Sequence, residues 1–493
     1  EIYDTKVYMF TDRPLYRPGD TVNIKMLARD YKNARDSVAA PAGKMKLTVV
    51  DANGMPVQSM NLTMDPHTGA NTAFHLGKTA TAGGYELQLQ YGDAIYSSAF
   101  RVASYIKPPF EVSMLLSKPD YHSGEPISGN IELHYPDGRP VANAHVALSL
   151  YSQQLSMVGN DLQYQGRFPV DMKSTDFISN AQGQVALNLP AAEKPSRYLL
   201  TVSASDGEAF RVKASKEILI ERGAAHYSLQ AGQRFSKVNE PVTFHYSSAQ
   251  PTVIKPTSYE WLRLEDQHTE SAPIPASSTD SLTVTFRQPG TYNLMLRSAN
   301  GMLLGATSHS VSGNDVKANI GNVEIVLDKA HYQVGDVAKA LITFPEPVSE
   351  ALLTLERDRV EASALLSKGS DWLQLTRISD TQYQAAIPVK ATFAPNLTFS
   401  VLYTLHGEYS FQNAGIRVAI PKIAVSIVSD KLHYRPGDIV NVTISTRLQG
   451  KPVSAHVTAS VVDEMIYALQ PEITPTIDQF FNHPRRNNVR TSS

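Results

Sequence analysis

A stretch near the N-terminus, DRPLYRPGDTVNI (residues 12–24), returns near the other end of the chain as DKLHYRPGDIVNV (residues 430–442). In both copies a tyrosine is followed by two spacer residues, a glycine and an acid. The proline fixes the backbone angle before the glycine, and the glycine adopts a positive φ without steric cost. Alternating apolar residues follow, as is typical of a strand. The stretch therefore predicts a tight turn that leads into a β-strand.

Three weaker copies of this turn lie between the two strong ones. The glycine position is held by Gly19, Gly124, Asn239, Gly335 and Gly437. Asparagine also tolerates a positive φ, so the third copy keeps the same turn. The positions are separated by 105, 115, 96 and 102 residues. This spacing is the size of a β-sandwich domain, whereas solenoid repeats are much shorter. The chain is therefore predicted to be a string of five related β domains.

We accordingly expect an all-β protein, built as a tandem array of antiparallel β-sandwich domains of the fibronectin or immunoglobulin type. The expected units are four sandwiches and one incomplete domain, at residues 1–107, 108–222, 223–314, 315–421 and 422–493. The last range is too short to complete a sandwich of the same size as the others.

The composition excludes several classes of protein. The 493 residues include 45 basic and 47 acidic side chains, and this near-neutral balance gives no indication of nucleic-acid or anionic-membrane binding. The absence of cysteine excludes disulfides, cysteine-ligated zinc and a cysteine nucleophile within the chain. No apolar run is long enough to cross a bilayer. The first residues lack the features of a signal peptide, so we interpret the chain as an internal piece of a longer protein.

No motif indicates an enzyme, a metal site or a cofactor. The 14 histidines show no His-Glu-x-x-His spacing, and no Gly-x-Ser-x-Gly elbow is present. His331 and His433 directly precede a repeat tyrosine, so we expect them to be surface or packing residues. The repeat tyrosines could form a ligand-binding ladder, but we expect each to pack its ring on a core and bond its hydroxyl locally. They are Tyr16, Tyr121, Tyr332 and Tyr434.

Two stretches resemble the α2-macroglobulin family. VYMFTDRPLYRPG (residues 7–19) is similar to the entry strand and turn of an early macroglobulin-like domain in that family. VVDEMIYAL (residues 461–469) is similar to a Val-Val-Asp-Glu segment that lies shortly before the family's bait region. PFEV (residues 109–112) is similar to the entry of the second domain, so the resemblance covers the chain in order. The composition and the lack of cysteine indicate a bacterial member.

The resemblance implies a function. Members of the family are broad-spectrum traps: a protease cuts the bait region, the molecule rearranges, and the protease is enclosed. Many members also carry a Cys-Gly-Glu-Gln thioester, which this cysteine-free chain lacks. The resemblance thus implies a non-enzymatic scaffold of macroglobulin-like domains, with host or competitor endopeptidases as partners. We expect a monomer in the periplasm; an anchor to a membrane through a segment outside this chain is left open. The alternative is a structural or adhesive multi-sandwich surface protein.

The C-terminal part of the chain carries the candidate functional residues. A short helix is predicted over residues 463–470, capped by Asp463 and ended by a proline. The stretch after it is polar and without a core pattern, so we expect an unstructured tail. Its arginines are candidate protease-cleavage sites at the onset of the bait region, and we predict that trypsin cuts them before the inter-domain sites Lys107 and Lys422. They are Arg485, Arg486 and Arg490. The alternative interpretation is a frayed end.

Overall fold

The computed structural model describes residues 4–33, 36–104, 110–135, 137–158, 161–207, 211–223, 225–249, 254–432, 434 and 437–489. The strands of this part of the chain group, in sequence order, into four pairs of sheets and one single sheet. We call the pairs the first to fourth sandwiches and the single sheet the fifth sheet. The predicted all-β fold is confirmed, while the limits between the predicted domains stay a prediction.

The first sandwich pairs a sheet of order β1-β3-β4, with β7 also beside β3, with a sheet of order β2-β9-β8-β5-β6. Alternation in β3 buries Val22, Ile24 and Met26 against the second sheet. Its strands are β1 (Thr5–Thr11), β2 (Leu15–Tyr16), β3 (Thr21–Tyr31), β4 (Ser37–Ala39), β5 (Gly43–Val50), β6 (Pro56–Met64), β7 (Ala70–His75), β8 (Gly83–Tyr91) and β9 (Ala94–Val102).

The second sandwich pairs a sheet of order β10-β11-β15 with one of order β13-β12-β16-β17, where β14 also pairs with β12. The long β12–β13 hairpin extends one sheet beyond the core. Its strands are β10 (Glu111–Leu116), β11 (Ile127–His134), β12 (His145–Val158), β13 (Asp161–Pro169), β14 (Asp176–Ile178), β15 (Gln184–Leu189), β16 (Ser196–Ser205) and β17 (Arg211–Ile220).

The third sandwich pairs a sheet of order β18-β20-β23 with one of order β19-β25-β24-β21-β22. Here Ser236 occupies the position of the repeat tyrosine, and its hydroxyl lies 2.9 Å from Nε2 of the buried His309. Its strands are β18 (Tyr227–Ala231), β19 (Phe235–Lys237), β20 (Pro241–Ser248), β21 (Ser258–Arg263), β22 (Thr269–Pro273), β23 (Ser281–Thr285), β24 (Gly290–Arg297) and β25 (Leu303–Ser312).

The fourth sandwich pairs a sheet of order β26-β27-β31-β30 with one of order β29-β28-β32-β33. A single 3₁₀ turn (Ala391–Phe393) precedes β32. Its strands are β26 (Glu324–Leu327), β27 (Val337–Thr343), β28 (Leu352–Glu356), β29 (Val360–Leu365), β30 (Gln374–Arg377), β31 (Gln382–Pro388), β32 (Asn396–Leu405) and β33 (Glu408–Arg417).

The fifth sheet has the order β34-β35-β36 and is followed by two short helices. Val425, Ile427 and Val428 on β34 are all more than half exposed, so neither face of this strand is covered in the described part of the chain. Its elements are β34 (Ile423–Ser429), β35 (Val442–Leu448), β36 (Lys451–Pro452), α1 (Glu464–Leu469) and α2 (Ile477–Phe481).

The repeat turn has the predicted geometry. Gly19 and Gly437 both have a φ of 91°, and Asn239 has a φ of 63°. The hydroxyls of Tyr16 and Tyr332 donate to the aspartates four residues before them, at 2.5 and 2.7 Å. Burial, together with these bonds to a carboxylate, raises the pKa of both tyrosines. Tyr16, Tyr121 and Tyr332 are thus buried and hydrogen-bonded locally, as predicted, whereas Tyr434 makes the local bond but is only partly buried.

In each of the four sandwiches the backbone of the repeat turn pairs with the closing strand in parallel orientation. In the first sandwich β2 pairs with β9, and in the third β19 pairs with β25. Single bridges do the same in the second and fourth sandwiches, from Tyr121 to Ile220 and from Tyr332 to Val418. The turn therefore joins the start of each sandwich to its end.

Candidate functional site

The histidines and acidic side chains of the described residues do not form a metal site. No group of three His, Asp or Glu side chains there could hold a metal ion. His331 is exposed, and His433 lies outside the described residues. None of the described helices is long and apolar enough to cross a membrane. The candidate site is therefore the C-terminal segment, residues 464–489, which precedes or contains the predicted cleavage sites.

The C-terminal segment begins with α1, which the sequence predicted to within one residue at each end. Ile466 on this helix is buried, and the chain then passes through Pro471 to α2. The start of α2 is a capping box: the Thr476 hydroxyl accepts from the Gln479 N–H at 3.2 Å, and the Gln479 side chain accepts from the Thr476 N–H at 2.9 Å. This exchange satisfies two backbone donors that a helix N-terminus would otherwise leave without partners.

Helix α2 lies on β1 of the first sandwich. The Tyr8 hydroxyl donates to the carbonyl of Pro475 at 2.8 Å, and the Tyr31 hydroxyl donates to the carbonyl of Phe481 at 2.9 Å. The Tyr8 ring is 5.2 Å from the ring of Phe480. Burial raises the pKa of both tyrosines above its ordinary value. Two hydrogen bonds from tyrosine hydroxyls to backbone carbonyls, together with aromatic packing, thus hold α2 and the residues beside it on the first sandwich.

Residues after α2 lie on the fourth sandwich, which corrects the expectation of an unstructured tail. Arg485 is only 7% exposed, and the Asn396 side chain bonds both its N–H and its C=O, at 2.7 and 2.9 Å. Asn487 donates to the buried carboxylate of Glu356 at 2.6 Å, and the Asn488 N–H donates to the Arg357 carbonyl at 2.7 Å. The tail is ordered because buried polar groups of the fourth sandwich bind it.

The three candidate cleavage residues thus have different surroundings. The Arg485 side chain is buried and lies over the Tyr31 ring, with its guanidinium carbon 5.3 Å from the ring centroid. Arg486 is exposed, and Arg490 lies outside the described residues. A protease needs an extended, accessible segment, so the local packing disfavours cutting after Arg485. Cleavage at these arginines stays a prediction.

A cavity of about 370 Å³ lies where α2, the first sandwich and the fourth sandwich meet. Its lining includes Tyr31 from the first sandwich, Pro395 and Ile420 from the region of the fourth, and Ile477 and Phe481 from α2. Beside it, the Lys422 ammonium pairs with the Asp478 carboxylate at 2.5 Å. Hydrogen bonds from Lys422 and then from Asn482 lower the pKa of Asp478. The pair joins α2 to the start of the fifth sheet.

Models of four known domains match the chain in order. They are the MG2 domain at residues 6–102, the bacterial alpha-2-macroglobulin Ig-like domains 3 and 4 at residues 121–221 and 225–314, and the alpha-2-macroglobulin bait region domain at residues 323–469. The alpha-2-macroglobulin of Ralstonia nicotianae is 49% identical over all of this chain. This chain belongs to the bacterial alpha-2-macroglobulin family. The predicted family is therefore confirmed.

More distant relatives agree with this result. The alpha-2-macroglobulin of Thermotoga maritima is 24% identical over 99% of the chain. The crystal structure of trypsin-activated alpha-2-macroglobulin from Escherichia coli covers 99% of the chain, with a TM-score of 0.52 at 16% identity, and shows the same fold. The chain spans 32% of the Ralstonia protein, 30% of the Thermotoga protein and 36% of the Escherichia coli structure. The chain thus corresponds to about a third of the length of these relatives.

The sequence contained one signal for the docked tail that the prediction did not use. Thr476 and Gln479 have the Ser/Thr-x-x-Glu/Gln spacing of a capping box, and this spacing identifies the start of α2. The groups that receive the tail have no such signal. Glu356 and Asn396 lie at the end of β28 and the start of β32, and their partners in the tail are 131 and 89 residues away in sequence.

Proposed function

We propose that the protein containing this chain inhibits endopeptidases by enclosing them after they cut a bait region. In this proposal the 493 residues form part of the scaffold and carry no catalytic activity of their own. The observation that carries the proposal is the bait region domain, which matches residues 323–469 of a chain whose Ralstonia relative is named alpha-2-macroglobulin.

The architecture is consistent with a scaffold that survives contact with proteases. The four sandwiches have packed cores, and cutting a strand inside such a core requires local unfolding first. A target endopeptidase would therefore cut elsewhere, in an accessible segment. The partners in this proposal are endopeptidases of a host or of competing organisms, and the protein acts as a monomer in the periplasm.

The test uses the full-length protein with trypsin and with elastase. An enclosed protease should lose most of its activity on large protein substrates and keep most of its activity on small chromogenic peptides, because only the small substrates diffuse past the enclosing domains. The 493-residue chain alone should not inhibit either protease at a stoichiometric ratio. Cell fractionation with a periplasmic marker enzyme tests the location.

Two results would contradict the proposal. One is a full-length protein that is cut by trypsin or elastase yet leaves cleavage of protein substrates unchanged, which would favour the structural or adhesive alternative. The other is stoichiometric inhibition by the isolated chain, since that would place the inhibitory site inside these residues.

A further inference from the structure

Residues 475–488, which we call the clasp, contact two sandwiches that are far apart in sequence. The Tyr8 and Tyr31 hydroxyls of the first sandwich donate to clasp carbonyls. Asn396 and Glu356 of the fourth sandwich bond clasp residues at the other end. The same short piece of chain therefore connects the first sandwich to the fourth.

The fourth sandwich contains buried polar groups whose partners come from the clasp. Glu356 is 3% exposed, and its carboxylate accepts from Thr354 at 2.5 Å, from Ser400 at 2.9 Å and from Asn487 at 2.6 Å. A buried carboxylate is costly unless it is well hydrogen-bonded. The first two donors belong to the sandwich itself, and the third belongs to the clasp. Removing the clasp takes away one donor and opens this group to water.

Asn396 binds the clasp in the manner of a neighbouring strand. Its amide accepts from the N–H of Arg485 and donates to the C=O of the same residue. These two hydrogen bonds join Asn396 to the backbone of Arg485, so they do not depend on the Arg485 side chain. They fix the path of the chain at this point. The Arg485 guanidinium then lies over the Tyr31 ring of the first sandwich. One clasp residue thus touches both sandwiches.

From these contacts we infer that the clasp holds the first and fourth sandwiches together, and that its detachment allows them to move apart. The clasp is anchored by discrete polar contacts and by aromatic packing around a cavity of about 370 Å³, and none of the residues of α2 is fully buried. Detaching a segment held in this way costs less free energy than unfolding the core of a sandwich. This inference concerns the conformation of the chain and does not depend on the proposed function.

The test measures the distance between the two sandwiches in the 493-residue chain. The chain has no cysteine, so Ile95→Cys and Val360→Cys introduce two unique thiols for spin labels. Ile95 on β9 is 69% exposed and Val360 on β29 is 47% exposed, so labels there should not disturb either core. The parent chain should show one narrow distribution of label distances.

Two variants break the clasp from opposite sides. Asn396→Ala removes both bonds to the Arg485 backbone. The double variant Arg485→Pro and Asn487→Ala removes the backbone N–H and the donor to Glu356 while both sandwiches keep their own residues. In each, amide exchange within residues 477–488 should rise about tenfold or more, since two buried hydrogen bonds are lost. The label distances should become longer and broader.

Asn413→Ala is the matched control, because Asn413 lies exposed on β33 of the same sandwich. It should change neither the exchange nor the distances. If Asn396→Ala unfolds the fourth sandwich, the clasp-side double variant decides the matter. Faster exchange in the clasp with an unchanged distance distribution would overturn the inference, because the sandwiches would then be held by other contacts. Unchanged exchange in the double variant would overturn it as well.

Discussion

The first and last copies of the repeat turn share one local geometry but have different surroundings. Gly19 and Gly437 have the same φ of 91°. In each copy the tyrosine hydroxyl donates to the aspartate four residues earlier and accepts from the backbone N–H of the residue three positions earlier. Yet Tyr16 is fully buried, whereas Tyr434 is half-buried. The turn thus forms with or without a core behind it.

The difference lies in what the rest of each unit supplies. In the first unit β2 pairs with the closing strand β9, and a second sheet covers the tyrosine ring. The fifth sheet is a single layer within the described residues. The comparison shows that nearby residues determine the turn, while long-range strand pairing determines its burial. Variants at matched positions of the two copies separate these two contributions.

The largest effect should come from removing the tyrosine ring. Tyr16→Ala should cost the first sandwich about 3–5 kcal/mol of its free energy of unfolding, as is typical when a buried aromatic is truncated. Tyr434→Ala should cost much less, because this residue is only partly buried. Hydrogen exchange read by mass spectrometry reports each unit separately. Tyr409→Ala, at a largely exposed tyrosine, is the control, and equal losses at Tyr16 and Tyr434 would contradict the comparison.

The same contrast explains which features could be predicted from the sequence. The repeat turn and α1 were predicted because their signals lie within a few residues: a Pro-Gly pair, an alternating strand, an N-cap. The docked tail was not, because its order depends on Glu356 and Asn396, whose sequence neighbourhoods read as ordinary strands. The sequence of a polar stretch is the same whether its asparagine and arginine side chains are solvated or bind a buried group. The location of the candidate site therefore stays a prediction, while the packing of the tail was predicted wrongly.

A second prediction uses the third copy, where Ser236 replaces the tyrosine and His309 fills the space beside it. His309 is 1% exposed and stacks on Phe286, and burial lowers its pKa to about 4. The unfolded chain takes up this proton below about pH 6.5, while the folded chain does not until about pH 4. The third sandwich should therefore lose about 3 kcal/mol of stability as the pH falls from about 6.5 to about 4.

The measurement is the thermal unfolding of the third sandwich across this pH window. His309→Phe should reduce the pH dependence, because the remaining ring no longer titrates. His245→Gln, at an exposed histidine of the same sandwich, should leave it in place. A third sandwich whose stability is constant from pH 6.5 to 4 would show that His309 binds its proton without unfolding.

A third prediction tests whether the turn has the same local energy in both copies. Gly19→Val and Gly437→Val should each destabilise their own unit by about 1–3 kcal/mol, because a β-branched residue is strained at positive φ. A Cβ at Gly19 would come no nearer than 4.0 Å to another atom, and one at Gly437 would meet nothing within 4 Å, so backbone strain alone decides. Gly232→Val is the control, since its φ is outside the left-handed region and its surroundings are open. A loss confined to the first unit would mean that packing contributes.

The smallest effect should come from removing only the tyrosine hydroxyl. The Tyr16 hydroxyl donates to Asp12 at 2.5 Å and accepts from the Arg13 N–H at 3.2 Å. Because the ring is buried, water cannot easily replace the hydroxyl, and Tyr16→Phe should cost about 1–2 kcal/mol. In the Tyr434→Phe variant water should reach the Asp430 carboxylate and the Lys431 N–H, so no measurable change in stability is expected.

Both hydroxyl variants keep the ring, so they compare the same hydrogen bond inside and outside a core. Exchange of the turn amides, read in the two units of one sample, gives the two values under identical conditions. A loss at Tyr434→Phe equal to that at Tyr16→Phe would show that the bond stabilises the turn wherever it forms. A loss at Tyr16 alone would show that the core makes this hydrogen bond matter, because burial removes the water that would otherwise replace it.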